Sequence, residues 1–400
     1  MHILMIAPEP FFEPRGTPFS EFHRIRALGE LGHTVDLVTY PFGHDVTLPG
    51  LRIFRAGRPP GISGVGIGPS WTKVPLNILL TLTAFRRALS GKYDAVHSHE
   101  EGGGIGVVLA KLLGVPHLYD MHSSLPQQVS NFGYKGMPGV ATMLGWLEWL
   151  MIRGSKVVIV ICPDLADTAR RVRADVPTVL IENAPGSGDA PTAGSGQAVR
   201  RTLGVSDETP IVLYTGTFEH YQGLDLLYAA MAIVRARRPD ARLVMVGGKP
   251  AQVAKASQQV SAQGIGDVVL FTGQRPAEEI PAYLDAATML ASPRSTGTNT
   301  PLKLYQYLRS GRPTVATNLR THTQVLSHET AVLVEATPQS MADGILRVLD
   351  DPTLAKTIGD NASRLAATEY SEEAYIAKTR RAVDILFSDA ADATAQAAAR

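Results

Sequence analysis

Ile211-Val212-Leu213-Tyr214-Thr215-Gly216-Thr217-Phe218-Glu219-His220-Tyr221-Gln222-Gly223-Leu224-Asp225-Leu226-Leu227 runs from an apolar segment, through two glycines, into an amphipathic one. A short apolar run that ends at a glycine predicts a strand buried on both faces, as in a parallel sheet. The spacing after Gly223 predicts a helix. Strand, Gly216, a short polar loop, Gly223 and helix is the layout of a ligand-facing loop at the carboxyl edge of such a sheet. An ordinary turn that uses glycine is the alternative reading.

The pattern recurs on both sides. Leu243–Gly248, Val268–Gly273, Met289–Pro293, Thr314–Asn318 and Ala331–Glu335 read as further strands, with helices between them. Upstream, His2–Pro8, Val35–Tyr40, Asp94–His99, His117–His122, Val157–Cys162 and Thr178–Asn183 do the same. Phe22, Ile25, Leu28 and Leu31 mark one intervening helix; Ile78, Leu82, Phe85 and Leu89 mark another. Such alternation implies right-handed βαβ units. The Gly/Pro/Ser/Ala tract Ala184–Gly196 has no apolar period and reads as a linker. The expected architecture is α/β: two Rossmann-like, doubly wound domains facing an interdomain cleft. The expected boundaries are 1–183, a linker at 184–208, 209–368, a helix at 369–388 returning toward the first domain, and a frayed tail at 389–400.

Composition narrows the class. The chain has 400 residues, 44% hydrophobic and 19% charged, with a net charge of +1. That supports packed cores and argues against nucleic-acid binding driven by bulk charge. The single cysteine, Cys162, sits in an apolar run and reads as a buried thiol, consistent with a reducing cytosol. No run reaches the roughly 20 apolar residues of a spanning helix.

Two more loops carry candidate chemistry. Pro8–Pro18 follows the first strand, and Gly16 would let a ligand approach the backbone; a plain turn is the alternative. Ser292–Pro313 is richer. Thr300 reads as an N-cap, Pro301 as a first-turn residue and Gly311 as a C-cap. The amides of Leu302 and Lys303 would face an anion, and Lys303 and Arg294 add positive charge.

In this order and spacing the motifs resemble the GT-B-fold glycosyltransferases, specifically retaining family 4. Ile3–Pro8, Gly16 and Gly32-His33-Thr34-Val35 look like that family's first strand, glycine loop and turn. Asp94-Ala95-Val96-His97-Ser98-His99 looks like its "D-x-V-H-x-H" strand, and Ser310–Ala316 like its "G-K-P-V-V-A" segment. The resemblance implies an N-terminal acceptor domain and a C-terminal domain for a nucleotide-sugar donor, UDP-sugar ahead of GDP-sugar. It implies that His122 lines the reaction centre. Gly16, Gly216, Thr217, Gln222, Thr298, Asn299, Leu302 and Gln306 would lie along the donor, with its base near Gln274 and Arg275.

The chain also departs from the family. Thr298 and Gln306 stand where two glutamates are usual, and Thr217 and Gln222 where an arginine and a lysine are usual. Arg294 and Lys303 are then expected to hold the pyrophosphate. The resemblance implies transfer of a hexose-type sugar with retention of configuration to a glycan or lipid-linked acceptor. No metal and no further cofactor are called for. Trp71–Ser90, apolar with Lys73, Arg86 and Arg87, reads either as a core helix or as contact with an anionic membrane, which would make the protein cytoplasmic and peripheral. Met143–Ile152, with Trp146 and Trp149 and followed by Arg153 and Lys156, reads first as a core helix, with membrane contact the alternative. A UDP-sugar epimerase and a catalytically silent glycan-binding protein are the rival readings.

Overall fold

The computed structural model describes residues 1–12, 16–65, 70–126, 138–182, 192–297 and 299–398, so Thr298 and most of the tract 184–196 lie outside the described residues. The chain forms two compact units: Met1–Gly186 with Glu372–Arg400, and Ser187–Ser371.

The first unit is a seven-stranded parallel sheet. Its strands are β1 (His2–Ala7), β2 (Thr34–Thr39), β3 (Leu51–Arg55), β4 (Ala95–His99), β5 (His117–Met121), β6 (Val157–Val160) and β7 (Thr178–Leu180), in the order β3-β2-β1-β4-β5-β6-β7. The order reverses between β1 and β4, and loops at that switch point gather ligands. Helix α1 (Gly16–Glu30) and the last helix of the chain cover one face, with Ile25, Leu28 and Val383 against Ile3 and Met5. Helices α2 (Lys73–Ser90), α3 (Gly103–Leu113), α4 (Pro138–Arg153) and α5 (Pro163–Val172) cover the other. Cys162 is buried at the start of α5.

Two readings change here. Strand β3 escaped notice because it is a half-exposed edge strand whose Arg52 and Arg55 break the apolar run. Helix α2 buries Leu76, Leu80, Ala84 and Ala88, with Phe85 partly buried on the same core, while Ile78, Leu82 and Leu89 face outward, so the residues that marked the helix fall on both sides of it. Two interleaved apolar stripes on one helix leave periodicity unable to choose between them.

The second unit is a six-stranded parallel sheet of β8 (Ile211–Thr215), β9 (Arg242–Val246), β10 (Val269–Gly273), β11 (Met289–Ser292), β12 (Thr314–Thr317) and β13 (Val332–Val334), ordered β10-β9-β8-β11-β12-β13. Its helices are α6 (Gly196–Leu203), α7 (Leu224–Arg237), α8 (Pro250–Ala262), α9 (Ile280–Ala286), α10 (Lys303–Ser310), α11 (Arg320–Thr323), α12 (Pro338–Asp350) and α13 (Pro352–Glu369). Helix α6 falls inside the stretch expected to be a linker. Its Val199 and Leu203 pack on the core, and Gly196 N–H donates to Asp285 at 2.7 Å. The charged Arg200 and Arg201 masked that short stripe. The last helix, α14 (Glu372–Ala398), belongs to the first unit and runs past residue 388, in keeping with the high helix propensity of its alanines.

Candidate active-site loops

In the second unit the loops after β8, β9 and β11 meet backbone to backbone. Gly223 has φ +68°, and a Cβ there would lie 2.0 Å from Pro293 O. At Gly247, φ is +126° and a Cβ would lie 1.9 Å from Gly216 O. Neither place admits a side chain. Gly223→Ala is therefore expected to displace the loop 216–222, lowering the unfolding midpoint and weakening nucleotide binding together; calorimetry on the folded variant checks both.

Lys303 opens α10. It is partly buried, with Nζ 3.9 Å from the Tyr214 ring centroid and 3.5 Å from Gln222 Oε1. Gln222 Nε2 in turn lies 3.5 Å from Thr217 Oγ1. Tyr214 OH donates to Thr217 O at 2.8 Å, and Tyr307 OH accepts from Thr215 N–H at 3.0 Å, which pins the strand end to α10. A Cβ on Gly216 would come 3.8 Å from Lys303 Nζ. Gly216, Thr217, Gln222 and Lys303 thus share one small space. Burial, and then the charge of Arg294, push the Lys303 ammonium well below its ordinary pKa, with no carboxylate among the described residues to offset them.

The helix start differs from expectation. Leu302, not Thr300, is the N-cap, and it makes no side-chain cap bond. The first internal bonds are Leu304 N–H to Pro301 O and Tyr305 N–H to Leu302 O. Thr300 stands too far ahead of Lys303 to cap, and its Oγ1 is buried without a partner among the described residues. Gly311 closes the helix at φ +66°. The N-terminal amides are thereby left to solvent or to an anion.

Arg294, whose charge acts on Lys303, also braces its own loop. It donates to Thr296 O at 2.9 Å, Asn299 O at 3.0 Å and Thr321 Oγ1 at 3.1 Å, clamping the loop 294–299. Gln306 is half-buried on α10. Gln274 and Arg275 are exposed after β10, where Arg275 pairs with Glu279 at 3.9 Å. Among the described residues no bond joins them to the Lys303 cluster. His322 is a core residue: Nδ1–H donates to Thr317 O at 2.8 Å, so Nε2 accepts from Ser292.

In the first unit Gly16 is the first residue of α1. His122 follows β5 directly and is only 5% exposed. Its Nε2 lies 3.2 Å from His99 Nδ1 and 3.3 Å from Asp120 Oδ1, and the His97, His99 and His122 rings stack in a row. Burial would push the Asp120 carboxyl up. Arg24, donating at 3.0 Å, and then the histidines outweigh that and hold it well below the usual carboxylate range. His97, His99 and Asp120 bring ligand-type atoms within 4.8 Å of one another, but the Arg24 guanidinium already occupies the cation's place beside Asp120.

Sequence reasoning missed the carboxyl groups around this row. Glu100 has φ +44°, unusual for a residue with a side chain, and accepts from Ser123 Oγ at 2.8 Å. Glu101 pairs with Lys73 at 2.9 Å. Burial pushes Glu21 up to about 8. Placement directly after β1 and β4 was the available signal for Glu9, Glu100 and Glu101. Glu21 has a consequence for stability. Its native carboxyl keeps a proton that the unfolded chain gives up. Stability should therefore decline as pH rises from the ordinary carboxylate range to about 8, then level off. Urea midpoints across that range, in wild type and Glu21→Gln, test this; the decline should be shallower in the variant, the rest coming from Glu9 and Glu100, which burial also raises.

Two parallel doubly wound units, the second with a helix start that has no side-chain cap and a lysine that has no carboxylate partner among the described residues, are the parts of a GT-B-type fold. Residues 197–365 match the family described as glycosyl transferases group 1, and residues 23–184 match the glycosyl transferase 4-like domain. The chain is 26% identical to an alpha-D-kanosaminyltransferase of Streptomyces kanamyceticus over 93% of its own length and 96% of the relative's. It is 25% identical to a D-inositol 3-phosphate glycosyltransferase of Corynebacterium diphtheriae, over 92% and 88%. Among solved structures it shares its fold with sucrose-phosphate synthase of Thermosynechococcus elongatus at TM-score 0.78, 23% identity and 97% and 99% coverage. It also does so with Anabaena Alr3699/HepE in complex with UDP-glucose, at TM-score 0.72, 18% identity and 97% and 100% coverage. The chain belongs to the glycosyl transferases group 1, family 4: it is a retaining glycosyltransferase that uses a nucleotide-sugar donor.

Proposed function

We propose that the second unit binds a UDP-hexose through Lys303 and the amides of Leu302 and Lys303, and that the hexose passes to a hydroxyl of a glycan or lipid-linked glycan. The observation that carries this is the lysine itself: a partly buried cation, without a carboxylate among the described residues, at an uncapped helix start. A pyrophosphate supplies the missing charge. The Anabaena structure with UDP-glucose supports uridine over guanosine.

In this reading Lys303 and the amides stabilise charge that grows on the leaving phosphate, without recourse to a metal. That phosphate helps take the acceptor's proton while sugar and acceptor stay on one face. Thr217 and Gln222 line the phosphates, and Gln306 offers its amide to the ribose. His122, held by Asp120 and His99, positions the reacting sugar. Cys162, buried and reduced, and the outward apolar side of Trp71–Ser90 support a cytoplasmic, membrane-peripheral setting.

Ligand-observed NMR against a panel of nucleotide sugars, followed by assays of nucleotide release, tests the reading. Binding of UDP-sugars with acceptor-dependent release is expected. Release without acceptor would point to an epimerase, and no binding to a silent protein.

A further inference from the structure

Apolar side chains are scattered over most protein surfaces, but here they are concentrated. Of the large hydrophobic residues that are exposed, Trp71, Val74, Ile78, Leu82 and Leu89 lie on or beside α2, Val108 and Leu112 on α3, and Met143, Trp146 and Trp149 on α4. Trp71 is 80% exposed and Trp146 61%. These helices are neighbours on one face of the first unit: α3 packs against both α2 and α4. Its glycines allow the close approach, since a Cβ on Gly104 would lie 2.9 Å from Leu147 and one on Gly103 2.5 Å from Met151. The apolar residues therefore form one surface across three helices, far broader than the segment Trp71–Ser90. An exposed apolar surface of this breadth marks an interaction site.

The charges on the same helices are one-sided. Arg86, Lys111 and Arg153 are exposed, and Arg153 lies 5.1 Å over the Trp149 ring. The only acidic residue on the three helices, Glu148, is buried, and accepts the Leu125 N–H at 2.8 Å. Tryptophan beside arginine on an apolar face is the chemistry of a bilayer interface, with cations toward anionic headgroups. Among the described residues no helix is long and apolar enough to cross a membrane, so this surface would lie on the lipid.

We propose that α2, α3 and α4 together form a single docking face for an anionic lipid bilayer. The proposal deepens the peripheral setting given above and stands apart from the donor site. Through Glu148, α4 also holds the backbone just after His122, so the docking face and the His122 loop share one rigid element.

Co-sedimentation with phosphatidylcholine vesicles, with and without phosphatidylglycerol, tests it. Wild type should bind the anionic vesicles, less strongly as salt rises, and bind phosphatidylcholine alone weakly. Arg86→Glu/Lys111→Glu/Arg153→Glu should weaken partitioning about 100-fold or more, since each basic residue near an anionic surface contributes roughly a factor of five. Ile78→Glu/Leu82→Glu/Trp146→Glu should abolish it. All six sites are exposed, so both variants should keep the wild-type melting temperature and UDP affinity. Failure of wild type to bind anionic vesicles overturns the proposal. So does a wild-type dimer in sedimentation velocity that the apolar variant converts to monomer, which would make the face a contact between copies. UDP binding retained in either case leaves the donor reading standing.

Discussion

Lys303→Met should raise the dissociation constant for UDP about 10- to 100-fold, the loss expected for one charge-assisted bond to phosphate. Methionine keeps the aliphatic stem over Tyr214 and removes only the charge. The melting temperature should hold or rise, because the ammonium is desolvated and faces Arg294 when no ligand is bound. Binding should also take up protons. The free lysine sits well below its ordinary pKa, and a bound pyrophosphate would restore it. Affinity then falls as pH rises through the free-state value. Calorimetry in buffers of different ionisation enthalpy reads that uptake, and the variant should lack it. An unchanged dissociation constant in Lys303→Met would remove the donor site from this helix start. Arg294→Met should behave otherwise. It breaks two bonds to loop carbonyls, those of Thr296 and Asn299, and one to Thr321 on α11, so its binding loss should come with a lower melting temperature.

Arg24→Met is expected to give the largest loss of stability, about 3–5 kcal/mol, by leaving the buried Asp120 carboxylate with neutral histidines and no permanent cation. Each kcal/mol lowers the midpoint by about 2–4 °C in a unit of this size, so a fall on the order of 10 °C should appear in calorimetry. In wild type the depressed Asp120 pKa contributes stability that is complete above the ordinary carboxylate range and lost as pH falls through the folded value. Without Arg24 the burial penalty is opposed by the histidines alone, so the folded pKa rises from its depressed value. The variant's deficit should therefore shrink as pH falls through the ordinary carboxylate range. Arg24→Met/Asp120→Leu should recover much of the loss, because an apolar pair carries no uncompensated charge. A single variant as stable as wild type would mean that water or a neighbouring group compensates Asp120.

The residues account for what could be read in advance. Twelve strands were legible because parallel strands buried on both faces are apolar throughout. Strand β3 was not, since an edge strand carries charge. Helix α2 was legible but its buried face was not, because Leu76-Leu80-Ala84-Ala88 and Ile78-Leu82-Leu89 are both apolar, and only the structure tells which one meets the sheet. The grouping of Gly216, Thr217, Gln222 and Lys303 was legible from loop position, but the clamp role of Arg294 depends on loop carbonyls that no motif encodes. The polar column Arg24-His97-Asp120-His99-His122 was half visible. Histidines and an aspartate inside apolar strands announce a buried network, yet Arg24 and Glu21 reach it from a helix some 75 to 100 residues away in sequence.

Arg24 also meets α14, donating to Thr379 at 2.9 Å and lying 4.9 Å over the Tyr375 ring, and the same helix lays Ala382 and Leu386 on Leu118, Val157 and Ile159. Chain order gives this contact a temporal meaning. The ribosome delivers α14 only after all of Ser187–Ser371, so the seven strands of the first unit leave the tunnel long before their last cover exists. During that interval a strip of sheet and the far side of the Arg24 guanidinium stay open to water. The second unit, continuous in sequence, completes first. The first closes only once α14 itself has emerged, which makes that helix a seal on assembly as well as part of its core.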